Sequence, residues 1–220
     1  MHRIASTAPA AVLITTLLVA GMASPAQAQG PHRFELTPFG SYQWGGSFPT
    51  DQLSNVPSGE LTENAGFSWG AILSFLKGPD YAAELTYLRQ DTDVDFKRNG
   101  GGKTKVSDFA NNYIQLGARR SIRTGSGLAP FISASVGINI LDPKGTDLGS
   151  STRFAWTLGG GALYMAENGR VGLRMDIRWM VTPVQSGTYG SWCSVWGCYA
   201  TGGMEWLHQG QAGAGLVLPF

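Results

Sequence analysis

Between Val171 and Val184 the side chains alternate so strictly that only an extended backbone can use the pattern. Val171, Leu173, Met175, Ile177, Trp179 and Val181 share one face of such a strand, and Gly172, Arg174, Asp176 and Arg178 share the other. A continuous apolar face backed by three charges means that the two faces meet very different surroundings. Alternation alone also suits a soluble sandwich, so the surroundings must be settled by the rest of the chain. Beyond its N-terminal stretch the sequence has no run of the ~20 apolar residues that a membrane helix needs. If this chain meets lipid, it does so as a closed barrel, because only helices and closed barrels pair every backbone group there.

Seven further segments alternate in the same way, which predicts an all-β fold of eight antiparallel up-and-down strands. They run from His32 to Gly45, Ala65 to Lys77, Tyr81 through Tyr87, Phe109 to Ile122, Leu128 to Leu141, Thr152 to Ala166 and, after Val171 to Val184, Gly203 to Phe220. The 31 glycines suit tightly curved strands better than helices. Outward aromatics fall into two groups along the strands. Tyr42, Trp44, Phe67, Trp69, Tyr87, Phe154, Trp156, Trp179 and Trp206 lie toward one end, and Phe34, Phe75, Tyr81, Tyr164 and Phe220 toward the other. Two such girdles are expected at the two interfaces of a bilayer. The links agree in phase: those after strands two, four and six are short, and those after strands one, three, five and seven are long and polar or Gly-rich. That phase predicts short periplasmic turns, long external loops and both mature termini in the periplasm. A soluble eight-stranded barrel gives no reason for it and needs its apolar residues inside.

The two ends of the chain add an address. Arg3, the apolar stretch from Ala10 to Ala23 and the small-x-small site Ala26, Gln27, Ala28 predict a secretory signal peptide over residues 1–28, leaving 29–220 as the barrel domain. Without Arg3 the mature chain carries 15 basic and 15 acidic residues, a balance that argues against nucleic acid as a partner. At the other end Phe220, Leu218, Leu216, Ala214 and Ala212 share one face of a terminal strand, opposite Pro219, Val217, Gly215, Gly213 and Gln211.

Taken with stretches such as Tyr113 to Arg119 and Ala129 to Gly137, the chain resembles the small outer-membrane β-barrel family, similar to the OmpA transmembrane domain and its porin-like relatives. The resemblance covers essentially all of Gln29 to Phe220. It implies the outer membrane as location, its lipid and lipopolysaccharide as surroundings, and a C-terminal signal, Phe220, Leu218 and Leu216, read by the barrel insertion machinery. The oligomeric state stays open, with a monomer favoured, and no cofactor is expected. Nothing follows Phe220, so the peptidoglycan-binding domain of some relatives is not expected.

Charges turned away from lipid have to fill the lumen. Arg33, Glu35, Glu84, Arg119, Arg174, Asp176 and Arg178 are the candidates for a lumen charge network, read as a packed polar core of paired charges and trapped water or, alternatively, as a narrow anion-favouring pore. Cys193 and Cys198 lie in a segment rich in aromatics, Trp192, Trp196 and Tyr199; in an oxidising periplasm they predict a local disulfide that shapes a loop tip, while a metal site is not expected from two cysteines alone. Some barrels of this architecture modify lipid A with a serine, a histidine and a carboxylate. Here the mature histidines are His32, ahead of the first strand, and His208, beside Trp206 with no serine next to it, so no catalytic residues are assigned. Asn99 to Lys103 lacks the strand and helix of a phosphate loop, and Asp91, Asp93 and Asp95 lack the glycine and glutamate of a calcium loop. The reading is a non-enzymatic outer-membrane barrel with a structural or surface-interaction role. The alternatives are a narrow pore for small solutes or a lateral path for apolar ones, and, last, a lipid A-modifying enzyme.

Overall fold

The computed structural model describes residues 33–50, 59–78, 80–98, 101–122, 127–144, 150–166, 169–185, 191–194, 197–200 and 204–220. The signal peptide expected over 1–28 and His32 lie outside them. Among the described residues there are twelve strands: β1 (Phe34–Gly45), β2 (Ser47–Thr50), β3 (Gly59–Glu63), β4 (Gly66–Lys77), β5 (Tyr81–Arg98), β6 (Lys103–Ser121), β7 (Leu128–Lys144), β8 (Ser151–Met165), β9 (Gly172–Gln185), β10 (Ser191–Ser194), β11 (Gly197–Ala200) and β12 (Met204–Pro219). Eight of them, β1, β4, β5, β6, β7, β8, β9 and β12, each pair antiparallel with both neighbours and close into a ring. Among the described residues no helix is long and apolar enough to cross a membrane.

Closure occurs between the first and last strands. Phe34 N–H donates to Phe220 O at 3.3 Å and Phe220 N–H to Phe34 O at 2.9 Å, while the two rings stack at 5.8 Å. Three tight links mark what we call the turn end of the barrel, and each carries a glycine in the left-handed region: Gly78 (φ 75°), Gly127 (φ 76°) and Gly169 (φ 65°). Elsewhere glycine lets strands crowd: a Cβ on Gly161 would stand 1.9 Å from the Met175 carbonyl oxygen and one on Gly70 2.0 Å from that of Tyr87.

At the opposite, loop end the structure is more ordered than the links suggested. Residues 91–98 and 103–108, which fall in the long link after the third alternating segment, instead prolong β5 and β6, with a register shift between Val94 and Asp95. The first long link holds the hairpin β2–β3, whose β3 adds to the upper part of β5, and the last holds β10–β11. The reason is a change of solvent. Above the aromatic girdle water lies outside, so the pattern inverts: Val94 and Phe96 turn in while Asp93 and Asp95 turn out, and a search for apolar residues outside passes over it. Pairing between β8 and β9 starts at Trp156 and Val181, so residues 151–155 and 182–185 are not paired with each other and the wall divides there.

The faces are those of a protein turned inside out. Ile132 and Ile177 are each 66 % exposed on the outer wall, while Gln43 and Gln211 in the lumen are 0 % exposed. Water does not wet such an exterior cheaply, whereas hydrocarbon does. Aromatics edge it: Trp156 meets Trp179 edge-on at 5.4 Å, Trp69 meets Tyr87 at 6.2 Å, and at the turn end Phe34 tilts against Phe75 at 5.3 Å.

Candidate functional site

The lumen holds the chemistry of this chain, and it is layered. Period-two strands from all sides deliver one inward side chain per two residues, so each level is built from several strands at once. At the turn end Phe131, Leu163 and Val217 form an apolar floor, with Ala129 and Met165 against it.

Above the floor lies an ionic layer of three arginines and three carboxylates. Arg174 on β9 grips Glu84 on β5 with two hydrogen bonds, Nη1 to Oε1 at 2.6 Å and Nη2 to Oε2 at 3.2 Å, and reaches Asp176 Oδ2 with Nε at 2.9 Å. Arg178 Nη2 shares that Asp176 oxygen at 3.0 Å. Arg119 on β6 bonds Glu35 on β1 at 3.0 Å and stands 3.5 Å from Glu84, a contact close enough for charge but not aligned as a hydrogen bond. Arg174 also stacks over Phe131 at 4.6 Å and Arg178 over Phe39 at 4.9 Å. The layer is charge-neutral and spans the lumen from β1 through β5 and β6 to β9, so no unit charge is left without an opposite one beside it.

Six of the seven residues proposed from the sequence for a lumen network thus stand together in this layer. Arg33 does not: it is exposed just ahead of β1 at the turn end, where its backbone carbonyl accepts from Leu76 N–H. Phe39, Phe131 and Tyr113 complete the packing. Phe39 and Phe131 follow the lumen-facing parity of their strands but, being apolar, carry no signal that separates them from wall residues.

Next comes an apolar waist of Phe39, Ile72, Leu88, Tyr113, Ala155 and Met180. Beside it hydroxyls and amides pair: Ser41 Oγ with Ser68 Oγ at 2.8 Å, Gln211 Nε2 to Ser41 Oγ at 2.7 Å, Thr157 Oγ1 to Gln115 Oε1 at 2.9 Å.

The loop-end half is different again. Glu63, on the β3 hairpin and outside the eight wall strands, is carried into the lumen, where it accepts from Asn111 Nδ2 and from Gln209 Nε2 at 2.9 Å. Gln209 in turn accepts from the Tyr113 hydroxyl. Gly46, at φ 104°, makes room for the acid: a Cβ there would stand 3.3 Å from Glu63 Oε2. Nothing in the sequence singled out Glu63, since a lone acid in a long link looks like a solvated one.

Outside, just beyond Tyr87, charges reappear. Asp91 pairs with Arg89 at 2.9 Å and Lys144 at 2.5 Å, and Lys105 pairs with Asp93 and Asp108 at 2.9 and 2.6 Å. His208 is exposed on the outer wall and stacked flat on Trp179 at 5.6 Å. Cys193 and Cys198 occupy directly opposite positions of the β10–β11 hairpin.

An apolar exterior with aromatic rims, a polar lumen and an eight-stranded closed ring together define the architecture. The chain has the fold of the small outer-membrane β-barrels. Among solved structures this fold is shared with Neisserial surface protein A, with a TM-score of 0.58 and 18 % identity over 87 % of this chain and 100 % of that one. OprG from Pseudomonas aeruginosa gives a TM-score of 0.54 at 14 % identity over 88 % and 99 %, and AlkL, solved in DMPC lipid bilayers, gives 0.51 at 15 % over 90 % and 96 %. No protein-family model matches the sequence, and no curated protein matches it in sequence. The small-barrel fold therefore rests on structure rather than on sequence likeness.

Proposed function

We propose that this chain is a non-enzymatic integral protein of the bacterial outer membrane, a monomer with a sealed lumen, whose role is structural or exercised through its loop end at the cell surface. The observation that carries this is the neutral ionic layer, packed between an apolar floor and an apolar waist. An open anion path needs uncompensated positive charge along it, and Arg119, Arg174 and Arg178 each have a carboxylate partner. Export by a signal peptide over residues 1–28, recognition of Phe220, Leu218 and Leu216 by the insertion machinery, and contact of the Arg89–Asp91–Lys144 collar with lipopolysaccharide headgroups belong to the same reading. So does a Cys193–Cys198 disulfide: opposite residues of an antiparallel pair stand about 4.5–5.5 Å apart at Cα, which a disulfide spans.

One observation favours a second reading. The unpaired edges of β8 and β9 above Trp156 and Val181 leave a division in the wall at the loop end, through which an apolar solute could leave the barrel sideways. Solute uptake by proteoliposomes separates the two. The sealed barrel gives no swelling with small sugars or amino acids and no transfer of an apolar dye beyond protein-free vesicles. Dye transfer abolished by a disulfide engineered across the β8–β9 division replaces the sealed reading with the lateral one. An altered mass of lipid A in expressing cells would overturn the non-enzymatic assignment.

A further inference from the structure

The outer wall differs at its two rims. Just beyond Tyr87, at the loop end, outward charges answer one another: Asp91 pairs with Arg89 and Lys144, and Lys105 with Asp93 and Asp108. At the turn end the outward positions of the wall strands are apolar or aromatic, among them Phe34, Leu128, Tyr164 and Phe220, except on three adjoining strands. There Lys77 on β4 stands opposite Tyr81 on β5, and Tyr81 stands opposite Arg120 on β6. Both cations are exposed. Among the described residues neither forms an ion pair, with Asp80 of the intervening link or with any other acid.

These side chains are placed for an anion. The Arg120 guanidinium lies over the Tyr81 ring, 5.6 Å from its centroid. The ring holds the group from one side and leaves its N–H donors free, and a guanidinium meets a phosphate with two parallel hydrogen bonds. Adjacent strands stand about 4.8 Å apart, so Lys77 and Arg120 are separated by about 10 Å at the backbone, a gap that two such long side chains close around one phosphate. Tyr81 belongs to the turn-end girdle, and girdle tyrosines sit at headgroup level, which sets both cations at the depth of lipid phosphates. One residue pair deeper in the wall Ala83 faces Ala118, and beyond them Leu85 faces Leu116, all four exposed. Directly behind the cations the wall is therefore low, where the first methylenes of a lipid chain pass. Arg33, whose carbonyl accepts from Leu76 N–H, adds a third exposed cation to this side of the rim.

We propose that Lys77, Tyr81 and Arg120 form a binding site for one anionic glycerophospholipid of the phosphatidylglycerol class. Its phosphodiester lies between the two cations, and one of its chains starts over Ala83 and Ala118. The choice of a phospholipid rests on the reading that the turn end faces the periplasm, so that lipopolysaccharide meets the opposite rim. A zwitterionic headgroup carries its own ammonium to the site and gains less from two cations. Each Lys or Arg close to an anionic lipid surface strengthens attraction about fivefold, so the pair favours the anionic lipid by about twenty-five-fold.

The test is native mass spectrometry of the mature barrel released from micelles that hold phosphatidylglycerol and phosphatidylcholine in equal amounts, with the same acyl chains. The wild type retains one phosphatidylglycerol in preference to phosphatidylcholine. Lys77→Gln or Arg120→Gln lowers that preference about fivefold, and the two together about twenty-five-fold. Ala118→Phe, which fills the low strip and leaves the charges alone, lowers it as well. Lys97→Gln with Lys103→Gln removes two exposed cations from the loop end and leaves it unchanged. All five positions are exposed, and an unshifted unfolding midpoint checks that each variant folds. Equal retention of the two lipids, a preference undiminished in the turn-end double variant or in Ala118→Phe, or an equal loss in the loop-end pair overturns the site. Labelling of Lys77→Cys by an impermeant maleimide on intact cells would instead overturn the periplasmic placement, and with it the choice of phospholipid over lipopolysaccharide.

Discussion

In the turn-end half of the lumen six charged groups neutralise one another within hydrogen-bonding distance, whereas in the loop-end half the carboxylate of Glu63 accepts from the neutral amides of Asn111 and Gln209 and forms no ion pair. Both halves are buried, both are polar, and both are enclosed by the same strands. The difference is where their polarity is satisfied. The turn-end layer is complete within the chain and ties β1, β5, β6 and β9 together across the lumen, so it behaves as a cross-brace and a seal. The loop-end half holds Glu63 with neutral amide donors, brought in by the β2–β3 hairpin, which adds to the wall at β5 rather than belonging to the closed eight-stranded ring. A barrel can thus be rigid at one end and responsive at the other without any change of fold.

The largest effect expected from this contrast is on the brace. Arg174→Leu leaves the buried layer one cation short, with Asp176 held by Arg178 alone and Glu84 only by the 3.5 Å contact to Arg119, and should cost about 3–5 kcal/mol in urea unfolding from vesicles. Gln43→Leu in the loop-end half, which strands no charge, should cost far less; equal losses would erase the distinction between the halves.

The wall offers a second comparison. Val136→Arg puts a cation on the lipid face near mid-strand and should cost about 2–4 kcal/mol, while Ser135→Arg adds one to the lumen and is limited by space beside Gln115, which Ser135 contacts at 3.1 Å. Similar penalties at both positions would contradict the in–out assignment.

A third, smaller effect is a pH response confined to the loop end. The folded Glu63 carboxyl titrates near 8 against an ordinary value of 4.5, so docking of its hairpin is strongest below about pH 4.5 and weakens as pH rises toward about 8. Exchange of the Glu63 amide, which donates to Gly46 O at 2.7 Å, should quicken across that window after correction for its intrinsic pH dependence. Glu63→Gln should remove the window, and a response unchanged in that variant would assign it elsewhere.

The smallest effect concerns Cys193 and Cys198. Changing both to serine should cost barrel unfolding no more than about 2 kcal/mol, the loop-closure entropy of so short a ring, while loosening the β10–β11 hairpin. Free thiols in protein from the outer membrane, found by non-reducing mass spectrometry, would contradict the disulfide.

What was legible in the sequence follows the solvent. Wherever a strand separates lipid from lumen, alternation names both faces, and Arg174, Asp176 and Arg178 on β9 could be placed inward from their spacing against Leu173, Met175 and Ile177. The same parity points Arg33 inward, but at the rim of the barrel its side chain is exposed and does not join the layer. Above the girdle the rule inverts, which hid the upper parts of β5 and β6. Glu63 was illegible for a different reason: its burial depends on a five-residue strand adding to β5 and on Gly46 leaving space, and neither shows in a local pattern.

Single-channel recording in planar bilayers bears most directly on the sealed lumen. The wild-type barrel should insert without conductance steps, since the ionic layer and the waist close it whatever the state of the loop end. Discrete steps with anion selectivity in the wild type, lost when Arg174 or Arg178 is replaced, would mean that the arginines line a path rather than close one, and would contradict the account at its centre.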